Sequence, residues 1–578
     1  MIQKVFRWKR LLAAALAACL ALSLFGCRTA APLEPQAATE VERLAKLCRV
    51  WGYVKYTHPA FLLGQRDWDE ELLALIPQVR ELETHEEVNA LLHDWFVGLG
   101  EIDYGASAPV TAWANAAEED KLVVADTSWT TDAAYLGNDL AADLGRLTEI
   151  PNIRRTKAPV TFGRQTLLSG STYPIFSNEK NYLAMDYSDS GYRLLSLFRV
   201  WNALEYYFPY HALLDQDWES YLDEFIPRML ETDNLPGYLL TLFSLMSALH
   251  DNHATLGFGG PYVPFSVTEA EGKLVVSGTA ENCPLAIGDI ILALDGESID
   301  VIADIVKEYL ACSRDEVFLS RNAQSIFSFA GLSSSKEQVE VTVLRDGTET
   351  SFLCDWVTTP PSGKTPQEYY QILEGNIGLI NPEKIPRSVY HTMMEDLRNT
   401  DGLIIDLRQY PGDELDISSY FTTESAPAFI NASPSVAAPG TYIKEANSVG
   451  YKPGNAAQGV YYYDKPVVVL IDEFTQSAGE WAAWTIRKGE NVVLMGQNSI
   501  GALNRIAELP VPGTNGINFQ FTAIGATLDD GTQLQRVGLT PDIYVSRTIQ
   551  GVSEGRDEQM EAAVQYLMDK NQNTGDGQ

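Results

Sequence analysis

Basic residues are in short supply: 42 lysines and arginines stand against 77 aspartates and glutamates, a formal net charge of −35 at pH 7. A surface that acidic repels phosphate backbones, which argues against nucleic acid as a partner. Cysteine is also sparse. Outside the N-terminal Cys19 and Cys27 there are Cys48, Cys283, Cys312 and Cys354, with no CxxC pair and no zinc spacing. A Cys283–Cys354 bridge and four buried free thiols are alternatives that the spacing does not separate. The chain has no GxxxxGK(S/T) loop, no HExxH and no EF-hand pattern, so nucleotide and metal chemistry lack support and no cofactor is expected. Disorder lacks support too: 45% of residues are hydrophobic and 10% aromatic. A chain of 578 residues accommodates several domains.

The N-terminus carries Lys4, Arg7, Lys9 and Arg10, followed by an apolar run over residues 11–26 that ends LFGC. That run is short for a membrane span and fits a secretory signal. Gly26 before Cys27 resembles the bacterial lipoprotein cleavage box. The resemblance implies a signal peptide at 1–26, a lipidated Cys27 heading a tether at 27–40, and an extracytoplasmic protein anchored to the cell membrane. Plain signal cleavage and an uncut anchor are the alternatives.

Laying residues 44–103 over 194–253 aligns LCRVWGYVKYTHPAF with LFRVWNALEYYFPYH without a gap. Trp51 meets Trp201, Trp68 meets Trp218, and Pro77 meets Pro227. Apolar residues at helical spacing in both copies predict two related helical units, 41–104 and 181–257, separated by an α+β segment at 105–180. Two copies with an unlike insert signal duplication rather than a solenoid. The copies differ at their ends: ALHDNHATLGF closes the second and GLGEIDYGAS the first, putting Asp103 opposite His253. A histidine present in one copy only is not demanded by the shared scaffold, which moves His253 from structure toward chemistry.

Residues 258–358 turn to short alternating strands with one helix at VIADIVKEYLACS and an Asp-Gly hairpin, a compact β-barrel. GDIILALDGESI resembles a PDZ domain, a module that captures chain termini as an added strand. From 359 to 552 strands alternate with helices (NIGLINP, SVYHTMMEDLRN, DGLIIDLR, PVVVLID, NVVLMG), which predicts a mainly parallel sheet with ligands at the strand carboxyl ends. A C-terminal helix and tail follow at 553–578. Within VVVLIDEFTQSAGEWAAW, Ser477 falls where a buried strand gives way to a helix. There the amides of Ala478 and Gly479 point out of an unfinished helix N-terminus, the placement a nucleophile for acyl transfer needs. The plain alternative is that Ser477 is a helix cap.

The ordered set LHDNHATL, GDIILALDG, GLIIDLRQYPGD, VVLIDEFTQSAGE and GLTPDIYV resembles the tail-specific, C-terminal-processing serine protease family, in its tricorn-core-like branch, over about residues 190–550. The resemblance implies a multidomain α/β protein with helical N-terminal units, a PDZ-like domain and a crotonase-like, ClpP-like catalytic core. It implies Ser477 as nucleophile and backbone oxyanion donors at Ala478 and Gly412. One branch of the family uses a lysine 25 residues beyond the serine; Ala502 stands there, so that route is closed. The other branch uses a histidine, matched by His253. Gln535 matches the family's orienting glutamate, and since an amide cannot offset imidazolium charge, weaker catalysis or another acid is implied. Asn252 matches a family serine and is placed to hold the ring or a water. Tyr410 and Asp413 depart from the family's DxRxNxGG turn. The expectation is a serine endopeptidase acting on peptides or proteins, with no metal. The alternative is a lipoprotein that keeps the fold to bind peptide or another ligand with little turnover. The sequence is silent on oligomeric state.

Overall fold

The computed structural model describes residues 37–575 apart from 106–110, 151–152, 154, 165–170, 256–259, 333–335, 360, 362–367, 412–414 and 453–454. The expected signal segment, Cys27, Gly412 and Asp413 lie outside the described residues.

The duplication is visible in matching hydrogen bonds. Helix Glu40–Thr57 packs on Trp68–Arg80 and His85–Gly98, and Ser190–Tyr207 on Ser220–Glu231 and Leu235–Ser247. In the first unit the Trp51 indole donates to the Trp68 carbonyl at 2.8 Å and Arg43 Nε to Val79 at 3.1 Å. In the second, Trp201 donates to Trp218 at 3.2 Å and Arg193 Nε to Met229 at 2.8 Å. Each of these residues sits at the equivalent place in its copy. The first helices of the two units then pack on each other. Asn202 occupies the space a side chain at Gly52 would need: a Cβ there would lie 1.7 Å from Asn202 Oδ1.

The same symmetry produces two crossed ion pairs, Arg49–Glu219 and Arg199–Asp69, each 2.7 Å. The second is wholly buried and joins Glu179, which also meets Lys55 at 2.6 Å. Four charges, two of each sign, therefore share one buried cluster between the units.

Strands Phe265–Ala270, Lys273–Thr279, Ile290–Leu294, Gln338–Arg345 and Thr348–Asp355 form one antiparallel sheet, with Glu297–Ser298 added beside the third. Paired bonds between Tyr262 and Val357 draw its two outer edges together. The last hairpin turns at Asp346 and Gly347, both at positive φ, as an Asp-Gly turn requires. The expectation of a single helix here is corrected. Ile299–Val306 is followed by a second and longer one, Phe318–Leu332. Its Ser, Asn and Gln residues disguised it, yet Phe318, Ala323, Ile326 and Phe327 are buried against the sheet.

The α/β part is built on a six-stranded sheet ordered Tyr370–Leu373, Ile377–Ile380, Gly402–Asp406, Val467–Ile471, Val492–Gly496, Ile543–Tyr544. All pairs are parallel except the first. Alternate residues face opposite cores, which is why these strands read as unbroken apolar runs. Val467, Val469 and Ile471 pack under helix Ala478–Arg487, and Val468 and Leu470 under helix Glu558–Gly575. The intervening segment is not separate from this part: Lys121–Val123 pairs with Thr441–Gly450 in a second, four-stranded sheet. A hairpin, Ile506–Pro510 with Asn518–Thr522, leaves the α/β part and buries Leu509, Phe519 and Phe521 in the core of the helical units. That hairpin brings the histidine segment to the serine.

Candidate active site

Strands Gly402–Asp406 and Val467–Ile471 are parallel neighbours, so the loops at their carboxyl ends share one rim. Pro411 of the DLRQYPGD turn lies against Gly479, 3.7 Å from where its Cβ would be. Ser477 follows the second strand with φ 53° and ψ −111°. A helix cap normally sits in the extended region, as Thr39, Thr84 and Asn234 do here at φ −67°, −126° and −142°. Ser477 does not, and a non-glycine residue held in that conformation costs about 1–3 kcal/mol. Strain of this kind is a mark of a nucleophile elbow between strand and helix rather than of a cap.

Two fixtures hold the strained turn. The Ser477 N–H donates to the Ala502 carbonyl at 2.9 Å, so the position lacking a lysine side chain supports the serine through its backbone. Glu480, fully buried, accepts from Ser477 N–H, Ser499 Oγ, Gly501 N–H and Ala502 N–H. Burial pushes its carboxyl up and those hydrogen bonds pull it down. One expectation is corrected: the Gly479 amide donates to Gln476 at 2.8 Å and is not free for an oxyanion. The Ala478 amide has no acceptor among the described residues.

His253 is largely buried, its side chain 9% exposed. Its Nδ1 is 2.8 Å from Thr522 Oγ1, and that hydroxyl donates to Asp251 Oδ1 at 3.0 Å. With the hydroxyl proton committed to the carboxylate, Thr522 can only accept from the ring. Nδ1 therefore carries the proton and Nε2 keeps its lone pair. Asp251 is fully buried and accepts four hydrogen bonds: from Thr522 N–H, Thr522 Oγ1, His253 N–H and Gln535 Nε2. Gln535 thus steadies the acid and, among the described residues, makes no hydrogen bond to the ring. Asp251, 3.7 Å from Nδ1, is the acid that the amide at Gln535 left wanting. Burial pushes His253 below the ordinary histidine value; the Asp251 charge opposes this and the Arg321 charge adds to it.

No hydrogen bond joins Ser477 Oγ to the His253 ring among the described residues. The two segments are tied by their neighbours instead. The Asn252 carboxamide meets Gln476 Oε1 at 2.8 Å, and Arg321 donates to that same oxygen at 2.6 Å. Asn252 therefore links the two loops. Arg321 comes from the unforeseen helix Phe318–Leu332, and Ser320 beside it donates to Glu473. Tyr410 is 55% exposed and stands out of this network. Cys48, Cys283, Cys312 and Cys354 are free thiols.

A strained serine stands at a strand-to-helix turn on the rim of a mostly parallel sheet, and residues 376–545 match the model of Peptidase family S41. The chain is 27% identical over 194 residues to the carboxy-terminal-processing protease of Bartonella bacilliformis, covering 32% of this chain and 42% of that protein. It is 24% identical over 206 residues to the carboxyl-terminal-processing protease of Synechocystis sp., covering 33% and 44%. The chain thus spans less than half the length of these relatives. Mature CPAF shares the fold with a TM-score of 0.53 at 14% identity, over 66% of this chain and 96% of that one.

Proposed function

We propose that the protein is a serine endopeptidase, tethered outside the cytoplasm through a lipid on Cys27, that cuts peptide bonds with Ser477 as nucleophile and His253 as general base. His253 Nε2 takes the Ser477 proton as Oγ attacks the carbonyl, and the imidazolium returns it to the leaving amine. The tetrahedral oxyanion is received by the Ala478 N–H with the backbone of Gly412. Water then attacks the acyl-enzyme with the same base. Catalytic hydrogen bonds are often long in free enzymes and tighten in the substrate complex, so this scheme does not require a Ser477–His253 hydrogen bond in the free chain. The antiparallel domain over residues 258–358 acts as a PDZ-like module presenting substrate ends, and the core is of the crotonase-like, ClpP-like kind.

The observation that supports the reading is the proton chain from His253 through Thr522 to Asp251, in a segment whose Asn252 meets Gln476, the residue before a serine at φ 53°. An alkyl fluorophosphonate should label the wild-type chain on the tryptic peptide containing Ser477 and leave Ser477→Ala unlabelled. No labelling between pH 6 and 9 would instead favour a binding protein on a peptidase fold.

A further inference from the structure

The strained turn at Ser477 leans on residues 497–502, and that loop is itself irregular backbone, with Gly501 at φ 77°. Strained backbone persists only where its surroundings over-determine it. The amides of the loop are spent on the α/β part. Ser499 N–H donates to the Leu539 carbonyl at 3.0 Å, Ile500 N–H to the Thr475 carbonyl at 3.1 Å, and the Gly501 and Ala502 amides to Glu480.

The carbonyls at the head of the loop are held from elsewhere. Lying outside any strand, Asn498 and Ser499 both accept from one guanidinium nitrogen, Arg314 Nη1, at 3.2 and 2.7 Å. Arg314 is 8% exposed and belongs to the antiparallel domain, between helices Ile299–Val306 and Phe318–Leu332. Its Nε and Nη2 donate to Glu316 Oε1 at 3.0 and 2.8 Å. The Glu316 side chain is 64% exposed, so that ion pair is worth little by itself. The buried end of Arg314 is the one that grips the loop, where a hydrogen bond from a charged donor is worth most. Apolar packing runs the same way: Ile500 and Ala502, both fully buried, belong to the core of the antiparallel domain.

We propose that Arg314 is a positioning residue for the nucleophile. It acts through residues 498–502, whose Ala502 carbonyl accepts from Ser477 N–H and whose Ser499 hydroxyl and Gly501 and Ala502 amides fix Glu480. The antiparallel domain thus completes the support of the serine turn as well as presenting substrate. The inference rests on the peptidase reading and deepens it.

Two variants of the full-length chain test it. Arg314→Met should slow fluorophosphonate labelling of Ser477 about tenfold or more, while Arg314→Lys, which keeps a charged donor for the two carbonyls, should label within about threefold of wild type. Amide hydrogen exchange read by mass spectrometry should quicken about tenfold or more in Arg314→Met over residues 477–481 and 499–502, with strands Gln338–Arg345 and Thr348–Asp355 at the wild-type rate. Labelling of Arg314→Met within about twofold of wild type overturns the proposal, as does an Arg314→Lys no faster than Arg314→Met. Unchanged exchange in the two segments also overturns it, and so does equal acceleration in the two strands, which marks loosening of the whole domain. Exchange needs no catalysis, so a wild-type chain that never labels refutes the peptidase reading, while locally faster exchange in Arg314→Met still upholds the brace.

Discussion

Thr522 Oγ1 stands between His253 and Asp251, 2.8 Å from the ring nitrogen and 3.0 Å from the carboxylate oxygen. The carboxylate therefore orients the imidazole mainly through a hydroxyl. The direct Nδ1 to Asp251 separation of 3.7 Å is too long for a good hydrogen bond.

Removing that hydroxyl should be measurable. Thr522→Val keeps the shape and leaves Nδ1–H without its acceptor, so fluorophosphonate labelling should slow by roughly 10 to 100-fold. Asp251→Asn removes the charge behind the relay and should cost about 10³-fold. If Thr522→Val labels at the wild-type rate, the hydroxyl is not part of the proton chain.

The pH profile offers a test with two opposite signs. The base must be neutral, so labelling falls as pH drops through the His253 pKa. Since burial holds that pKa down, the acid limb should lie below pH 6.5. Asp251 raises the histidine pKa and Arg321 lowers it. Asp251→Asn should therefore move the limb to lower pH and Arg321→Met to higher pH. Shifts in the same direction would refute the electrostatic assignment.

The buried charge cluster and the outer ion pair should differ sharply in worth. Glu179→Gln strips a carboxylate from the buried group with Lys55 and Arg199 and should destabilise by about 3–5 kcal/mol, because it leaves cations unpaired. Its contrast is Glu219→Gln, at the outer pair with Arg49, where Glu219 is 53% exposed and the loss should stay under about 1 kcal/mol. Urea unfolding of the two variants measures both.

Glu205 occupies in the second copy the place Lys55 has in the first, and burial pushes its carboxyl from 4.5 up to about 8. A folded pKa above the unfolded one means the folded chain keeps a proton that the unfolded chain has lost. Stability is thus full below pH 4.5 and declines as pH rises toward about 8, by roughly 1.4 kcal/mol per pH unit. Glu205→Gln should flatten this decline, seen as a smaller drop in melting temperature between pH 5 and pH 8. An unchanged drop would show that Glu205 is not the group responsible.

What the sequence revealed and what it hid follow from the range of the interactions. The duplication, the parallel strands and the strand-to-helix position of Ser477 were legible because each rests on local periodicity. Comparing the two copies singled out His253 opposite Asp103 and did not single out Asp251, whose counterpart Glu101 is also acidic. Thr522 reaches His253 across 269 residues and Arg321 reaches Gln476 across 155. Threonine and arginine at such distances carry no local signal. The helix bearing Arg321 had one, in the spacing of Phe318, Ile326 and Phe327, which its polar residues obscured.

The central claim is that His253 activates Ser477, and the second-order rate of fluorophosphonate labelling at pH 7.5 in His253→Ala against wild type tests it most directly. A fall of about 10³-fold or more, with native circular dichroism, is the predicted result. Labelling within twofold of wild type would contradict it and require another base for the serine.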